Sequence, residues 1–260
     1  IVTISAALIT SHVWRDGPHN YPLGDWAAPL GIALHADGLS CAMLCMSAAV
    51  GSVVTIYGCR YFTEPMENAT HGAFTGDRAI FWPLWSGLHA LFLSRDVFNL
   101  YVTLELLTLS AIGLVAMAGN RAAIEAALRY LFAALVGSLL YLASIALIYG
   151  AYSTLDIATL HDAAGNDQSL RAALVLAMLG LMLKTALFPF HFWLPPAHGG
   201  ARAPVSALLS ALLVKGSFYI LLRLWFDLFP YDAVQPVAML PAVLGAAAVV
   251  WGSVQAILAD

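Results

Sequence analysis

The sequence has 260 residues, of which 61% are hydrophobic and only 10% charged, with a mean hydropathy of +0.83. Soluble domains carry about 25% charged residues, so this chain lacks the polar side chains to cover a water-facing surface and reads as a polytopic membrane protein. The formal net charge of −4 is too small to point to any class of partner, no basic cluster suggests nucleic acid, and the three cysteines, Cys41, Cys45 and Cys59, have no C-x-x-C spacing.

A helix crossing the hydrocarbon needs about 20 apolar residues. Residues 1–13 are too few to cross alone and read as the tail of a helix begun upstream. Residues 14–35 are polar and punctuated by Gly and Pro, with LGIAL as a short strand or hairpin. Asp37 is expected to cap a span over residues 38–58. Residues 60–78 read as a loop, 79–94 as a short span, and Arg95-Asp96 as a tight turn. The next span, 97–118, contains Glu105. A loop over 119–125 leads to a span over 126–149, then to a polar stretch over 153–169 whose first half lies along the interface. Residues 170–188 carry Lys184. A segment broken by Pro189, Pro195, Pro196 and Gly199-Gly200 follows, and residues 205–226 carry Lys215. A last apolar helix is expected over residues 241–259, stopping at Asp260. These make about eight spans or partial spans in one transmembrane domain over residues 1–260, expected to be part of a longer polypeptide.

The titratable residues inside the spans carry the functional reading. A charge at bilayer depth costs about 2.5–3.5 kcal/mol and as a rule faces a bundle interior or a water-filled path. Glu105 and Lys184 would neutralise each other if they met, and an exchange between paired and separated states would move a proton affinity. His191 and His198 lie in the broken segment, where freed backbone carbonyls need protein or cavity water, and imidazole passes protons near neutrality. Lys215 lies mid-span. Together Glu105, Lys184, His191, His198 and Lys215 read as a proton or cation pathway. His89 reads as a satisfied core histidine. No catalytic constellation, metal-ligand spacing, nucleotide loop or cofactor motif is present.

These residues also carry a resemblance. The pattern K-x(4)-P-x-H-x-W-L-P-x-A-H, filled here by KTALFPFHFWLPPAH and followed by APVSALLSALLVK, resembles the antiporter-like membrane subunits. That family includes the large subunits of Mrp-type sodium/proton antiporters and the proton-pumping subunits of complex I and membrane-bound hydrogenases. NLYVTLELLTLSAIGLVA resembles its glutamate helix. APLGIALHADGLSCAML resembles its hairpin and following helix, nearest in wording to the D-type member of the Mrp antiporters.

The resemblance implies an all-α transmembrane bundle with a discontinuous lysine-bearing helix, part of an inverted-repeat fold. It implies Glu105 and Lys184 as the pair of a half-channel, Lys215 as the link toward the centre, and His191 and His198 as the histidines of the broken helix. Expected partners are other membrane subunits of one complex, the lipid bilayer and protons, with sodium as an exchange ion, in a bacterial cytoplasmic membrane. Redox-driven pumping and a purely assembling role are the alternatives. Pro196 and Arg202 depart from the family pattern, which puts the charge along the relay in question.

Overall fold

A computed structural model describes residues 2–26, 31–61, 71–163, 165, 167–229, 234–235 and 238–258. Helix α1 (Val2–Asp16) leads to a two-stranded antiparallel hairpin, β1 (His19–Pro22) with β2 (Ala33–Ala36), in which Tyr21 stands opposite Leu34. Then come α2 (Gly38–Tyr61), α3 (His71–Leu93), α4 (Val97–Ala116), α5 (Arg121–Tyr152), the short α6 (Ile157–Ala163) and α7 (Gln168–Lys184). After a 3-10 turn over Phe190–Trp193, α8 (Leu194–Gly200) precedes one long helix over Ala203–Leu228. That helix consists of α9 (Ala203–Leu208), a π turn (Leu209–Leu213), α10 (Val214–Arg223) and a second π turn (Leu224–Leu228). The last helix is α11 (Met239–Leu258).

The fold is the all-α transmembrane bundle read from the sequence, with its lysine-bearing helix interrupted. Among the described residues, five helices are long and apolar enough to cross a membrane: Gly38–Cys59, Val97–Ala116, Arg121–Tyr152, Ala203–Leu228 and Met239–Leu258. The expected count of about eight is reached with three further helices, α1 with 15 residues, α3 with 23 and α7 with 17. The loop expected over residues 60–78 is corrected in its second half, because α3 already starts at His71; residues 62–70 lie outside the described set. His71 and Asp77 are the residues that suggest a loop there, and the helix takes in both positions.

Caps fix several helix starts. Asp37 accepts from Ser40 N at 2.8 Å, Asp96 from Asn99 N at 2.7 Å, Asn120 from Ala123 N at 2.8 Å and Asp167 from Leu170 N at 2.6 Å. Lipid-side residues are apolar: Leu106 and Leu109 of α4 and Phe132 and Leu139 of α5 are all exposed. In lipid the helices have no hydrophobic drive to associate, so close packing of small residues decides. The α5–α7 contact shows this. A Cβ added to Gly180 would stand 2.5 Å from the Gly137 carbonyl oxygen, so the two backbones touch where neither has a side chain.

Candidate functional site

Glu105 projects from the middle of α4, and Lys184 is the last residue of α7. The Lys184 ammonium donates to Glu105 Oε1 and stands 3.4 Å from Thr108 Oγ1. The Lys184 side chain is 3% exposed and that of Glu105 22%. Snorkelling to an interface is therefore ruled out for Lys184: the chain bends inward and the charge is met by a carboxylate one helix away. Two charges that would each be costly in hydrocarbon neutralise one another.

Local sequence accounts for the end of α7. Thr185 caps the helix with its N–H on the Leu181 and Leu183 carbonyls, and Ala186 takes a left-handed φ of 54°. Pro189 follows, which cannot donate to a helical ladder. The helix was expected to run to residue 188; it stops four residues earlier because this turn intervenes. Pro195 and Pro196 do not break anything. They occupy the first turn of α8, where a missing N–H costs nothing. The Leu183 carbonyl also accepts from Trp193 Nε1 at 2.9 Å, and Trp193 stacks on Tyr130 with centroids 4.2 Å apart.

Hydroxyls surround the pair. Ser138 of α5 donates to Glu105 Oε1 at 2.5 Å, and Thr185 donates to Ser217 of α10 at 3.0 Å. A cavity of about 10 Å³ lies between Thr108, Tyr130, Lys184 and Ser217, closed on its apolar side by Leu104, Leu107 and Leu213. That is about the smallest space that holds one water, and its polar lining supplies the partners a water needs.

The other expected residues lie apart from the pair. His191 is half-buried and stacks on Phe188 with centroids 5.7 Å apart, and its Nδ1 is buried without a hydrogen-bond partner among the described residues. His198 Nδ1 is 2.9 Å from Ser206 Oγ, and Lys215 is close enough to act on it electrostatically. Lys215 itself is exposed and donates to the Ser210 carbonyl, which belongs to the first π turn. No described hydrogen bond or ion pair links His191, His198 or Lys215 to Glu105 and Lys184. His89 is the satisfied core histidine expected, with Nδ1 2.9 Å from the Trp85 carbonyl oxygen and Nε2 3.3 Å from Ser47 Oγ.

A second buried charge cluster is not apparent in the sequence. Arg223, 6% exposed, lies at the end of α10 and not in a loop. Its guanidinium donates to Asp37 at 2.7 and 2.5 Å, to Asp227 at 2.8 Å, to Ser40 at 2.8 Å and to Tyr219 at 2.8 Å. The cluster borders a cavity of about 360 Å³ that also meets His35, Arg95, His161 and Asp162. An arginine at the polar end of an apolar run is ordinarily read as an interfacial charge, so only long-range contacts reveal it.

Residues 94–259 match the family described as NADH:quinone oxidoreductase/Mrp antiporter, TM. The chain is 34% identical over 265 residues to NADH-quinone oxidoreductase subunit N of Desulforudis audaxviator, covering 99% of this chain and 51% of that protein. It is 30% identical over 234 residues to the D-type subunit of the Na(+)/H(+) antiporter of Bacillus subtilis, covering 89% and 46%. Among solved structures, a chain of an archaeal respiratory membrane complex, the membrane-bound sulfane sulfur reductase, superposes with a TM-score of 0.82 at 27% identity, covering 93% of this chain and 50% of that one. The chain thus spans about half the length of the curated relatives it matches.

Proposed function

The chain belongs to the NADH:quinone oxidoreductase/Mrp antiporter transmembrane family, and from that premise we propose that it carries the first part of a proton path in a multi-subunit complex of a bacterial cytoplasmic membrane. The observation that carries this reading is the Glu105–Lys184 ion pair, held away from lipid at the break of an interrupted helix. A proton added to Glu105 weakens its hold on Lys184, and a proton lost from Lys184 weakens its hold on Glu105. Either event leaves the remaining charge unpaired in a low dielectric, which favours passing a proton onward.

Onward transfer runs through the water-sized cavity to Ser217 and so to the helix of Lys215, with His191 and His198 serving the broken segment. Exchange of protons for sodium is the form of transport we assign, on the likeness to the Bacillus antiporter protein. A second reading, redox-driven pumping, is favoured by the likeness to subunit N of an NADH-quinone oxidoreductase, and it uses the same pair.

The test is ion flux in proteoliposomes holding the purified complex. Glu105→Gln and Lys184→Ala should each lower proton flux per assembled complex at least tenfold, a change of about 1.4 kcal/mol or more in the transport barrier. Normal flux in both variants would overturn the assignment. Flux dependent on a sodium gradient, against flux dependent on an electron donor, separates the two readings.

A further inference from the structure

Ser138 Oγ stands 2.5 Å from Glu105 Oε1 and 2.7 Å from the Ala134 carbonyl oxygen, and the residue is 4% exposed. A hydroxyl carries one hydrogen and two acceptor lone pairs. Both neighbours are acceptors while Glu105 is ionised, so the single hydrogen serves only one of them at a time. The buried hydroxyls of α4 differ. Thr103, Thr108 and Ser110 donate to carbonyls of their own helix, at 2.8, 2.7 and 2.7 Å, and none of them has a carboxylate as a second partner.

We propose that Ser138 is a two-way hydroxyl that satisfies Glu105 in both of its protonation states. With Glu105 ionised, Ser138 donates to it. When Glu105 takes up a proton, Ser138 turns its hydrogen onto the Ala134 carbonyl and accepts the hydrogen of the new carboxylic acid. No heavy atom moves; one hydroxyl rotation exchanges donor for acceptor. Without such a partner, one of the two states of Glu105 would keep a buried polar atom unsatisfied, and the proton exchange would be biased toward the other.

The inference rests on the reading of Glu105 as a proton carrier. Its neighbour Gly137 supports the geometry, because a Cβ there would stand 3.0 Å from Lys184 Cγ. Helix α5 thus offers room for the lysine stem and a hydroxyl for the glutamate at consecutive positions. Among the described residues, the titratable groups acting on Glu105 are Lys184 of α7, Tyr130 of α5 and Tyr101 of its own helix. In the described set, α3, α8, α9 and α10 present no titratable group in hydrogen-bond or ion-pair contact with it.

The experiment compares Ser138→Ala and Ser138→Thr in the whole complex. It reads proton flux per assembled complex against pH and the infrared C=O band of protonated Glu105. Alanine is a good helix former, so the substitution does not weaken α5 itself. Losing the hydroxyl takes a donor from ionised Glu105 and an acceptor from its protonated form, so both exchange states lose a partner. The Ser138→Ala profile should therefore fall about threefold or more across the pH range, with the C=O band of protonated Glu105 moving to higher frequency because its O–H has lost its acceptor. Ser138→Thr, which keeps a hydroxyl, should restore both readings. A Ser138→Ala complex with an unmoved profile and band would overturn the proposal, even if its abundance fell, and so would a threonine variant no better than alanine. Glu105→Gln run in parallel keeps the two readings separate. If it retains flux, the carrier reading fails; if it loses flux while Ser138→Ala changes nothing, only the role of Ser138 fails.

Discussion

Arg223 and Asp37 lie 186 residues apart and meet through two charge-assisted hydrogen bonds, of 2.7 and 2.5 Å. The pair fastens the end of α10 to the start of α2, beside the hairpin. Asp37 also caps α2 through Ser40 N at 2.8 Å, so a single carboxylate starts one helix and holds another. The Tyr219 hydroxyl donates to the Phe92 carbonyl at 2.8 Å and extends the clamp to α3.

This clamp should show in acid. Burial pushes the Asp37 carboxyl up, but His35 at 3.7 Å and the hydrogen-bonded Arg223 guanidinium outweigh it and hold the group well below the usual carboxylate range. A depressed folded-state value means its contribution is full above the ordinary aspartate value, about 3.9, and is lost as pH falls below that. Thermal unfolding of the purified complex between pH 7 and pH 3 should therefore fall less steeply in Asp37→Asn than in the parent below about pH 4. Equal slopes would show that the clamp does not set acid stability. Arg223→Ala should cost about 2–3 kcal/mol at neutral pH, below the full cost of an orphaned buried charge because Asp37 reaches some solvent.

Removing both charges of the Glu105–Lys184 pair should be milder for assembly than removing one. Lys184→Met alone strands a carboxylate and should lower complex abundance. Adding Glu105→Leu should restore abundance toward the parent level while leaving flux at background, because the orphaned charge is gone and so is the carrier. Quantified complex recovery and proteoliposome flux check both halves of this statement.

Helix spacing between α5 and α7 gives a third outcome. In Gly180→Ala the new methyl meets α5 backbone at 2.5 and 3.0 Å, so the helices must separate and assembly should suffer. Gly150→Ala, on the same α5, meets nothing within 4 Å and should be neutral or slightly stabilising. Melting temperatures of the two variants should move apart; matching values would contradict the close approach.

Asp96 gives an opposite sign. It caps α4 through Asn99 N at 2.7 Å, and burial, with Asp156 nearby, raises its carboxyl above the ordinary range. A raised value for an acid means the folded state favours the protonated form, so this group costs stability as pH rises through the ordinary carboxylate range. Asp96→Asn keeps a capping oxygen and drops the charge, so it should match or exceed the parent at pH 7. Asp96→Ala loses the cap and should cost about 1 kcal/mol. Thermal unfolding of both variants at pH 7 decides.

Much of the fold is legible in the sequence because lipid leaves few options. Length and apolarity mark the spans, and an ionisable residue inside one must find a partner, which is why Glu105 and Lys184 can be paired from the sequence. The hydroxyls are not legible. Ser138 and Ser144 sit in the same apolar run and look alike, yet one touches a carboxylate and the other is a buried hydroxyl without a partner among the described residues. Arg223 escapes notice because its position at the end of an apolar run matches that of an interfacial charge, and its partner Asp37 lies at the other end of the described fold. The end of α7 is misplaced by composition because a left-handed alanine gives no warning.

The two π turns at Leu209–Leu213 and Leu224–Leu228 each hold one residue more than an α-helical turn. Counting by 3.6 from α9 therefore assigns residues beyond Leu213 to the wrong side. The same surplus gives the polypeptide slack: excising one residue inside Leu209–Leu213 would let an ordinary turn close without swinging Ser217, Tyr219 and Arg223 off their partners. A shortening that would scramble most transmembrane helices is one this helix has room to absorb.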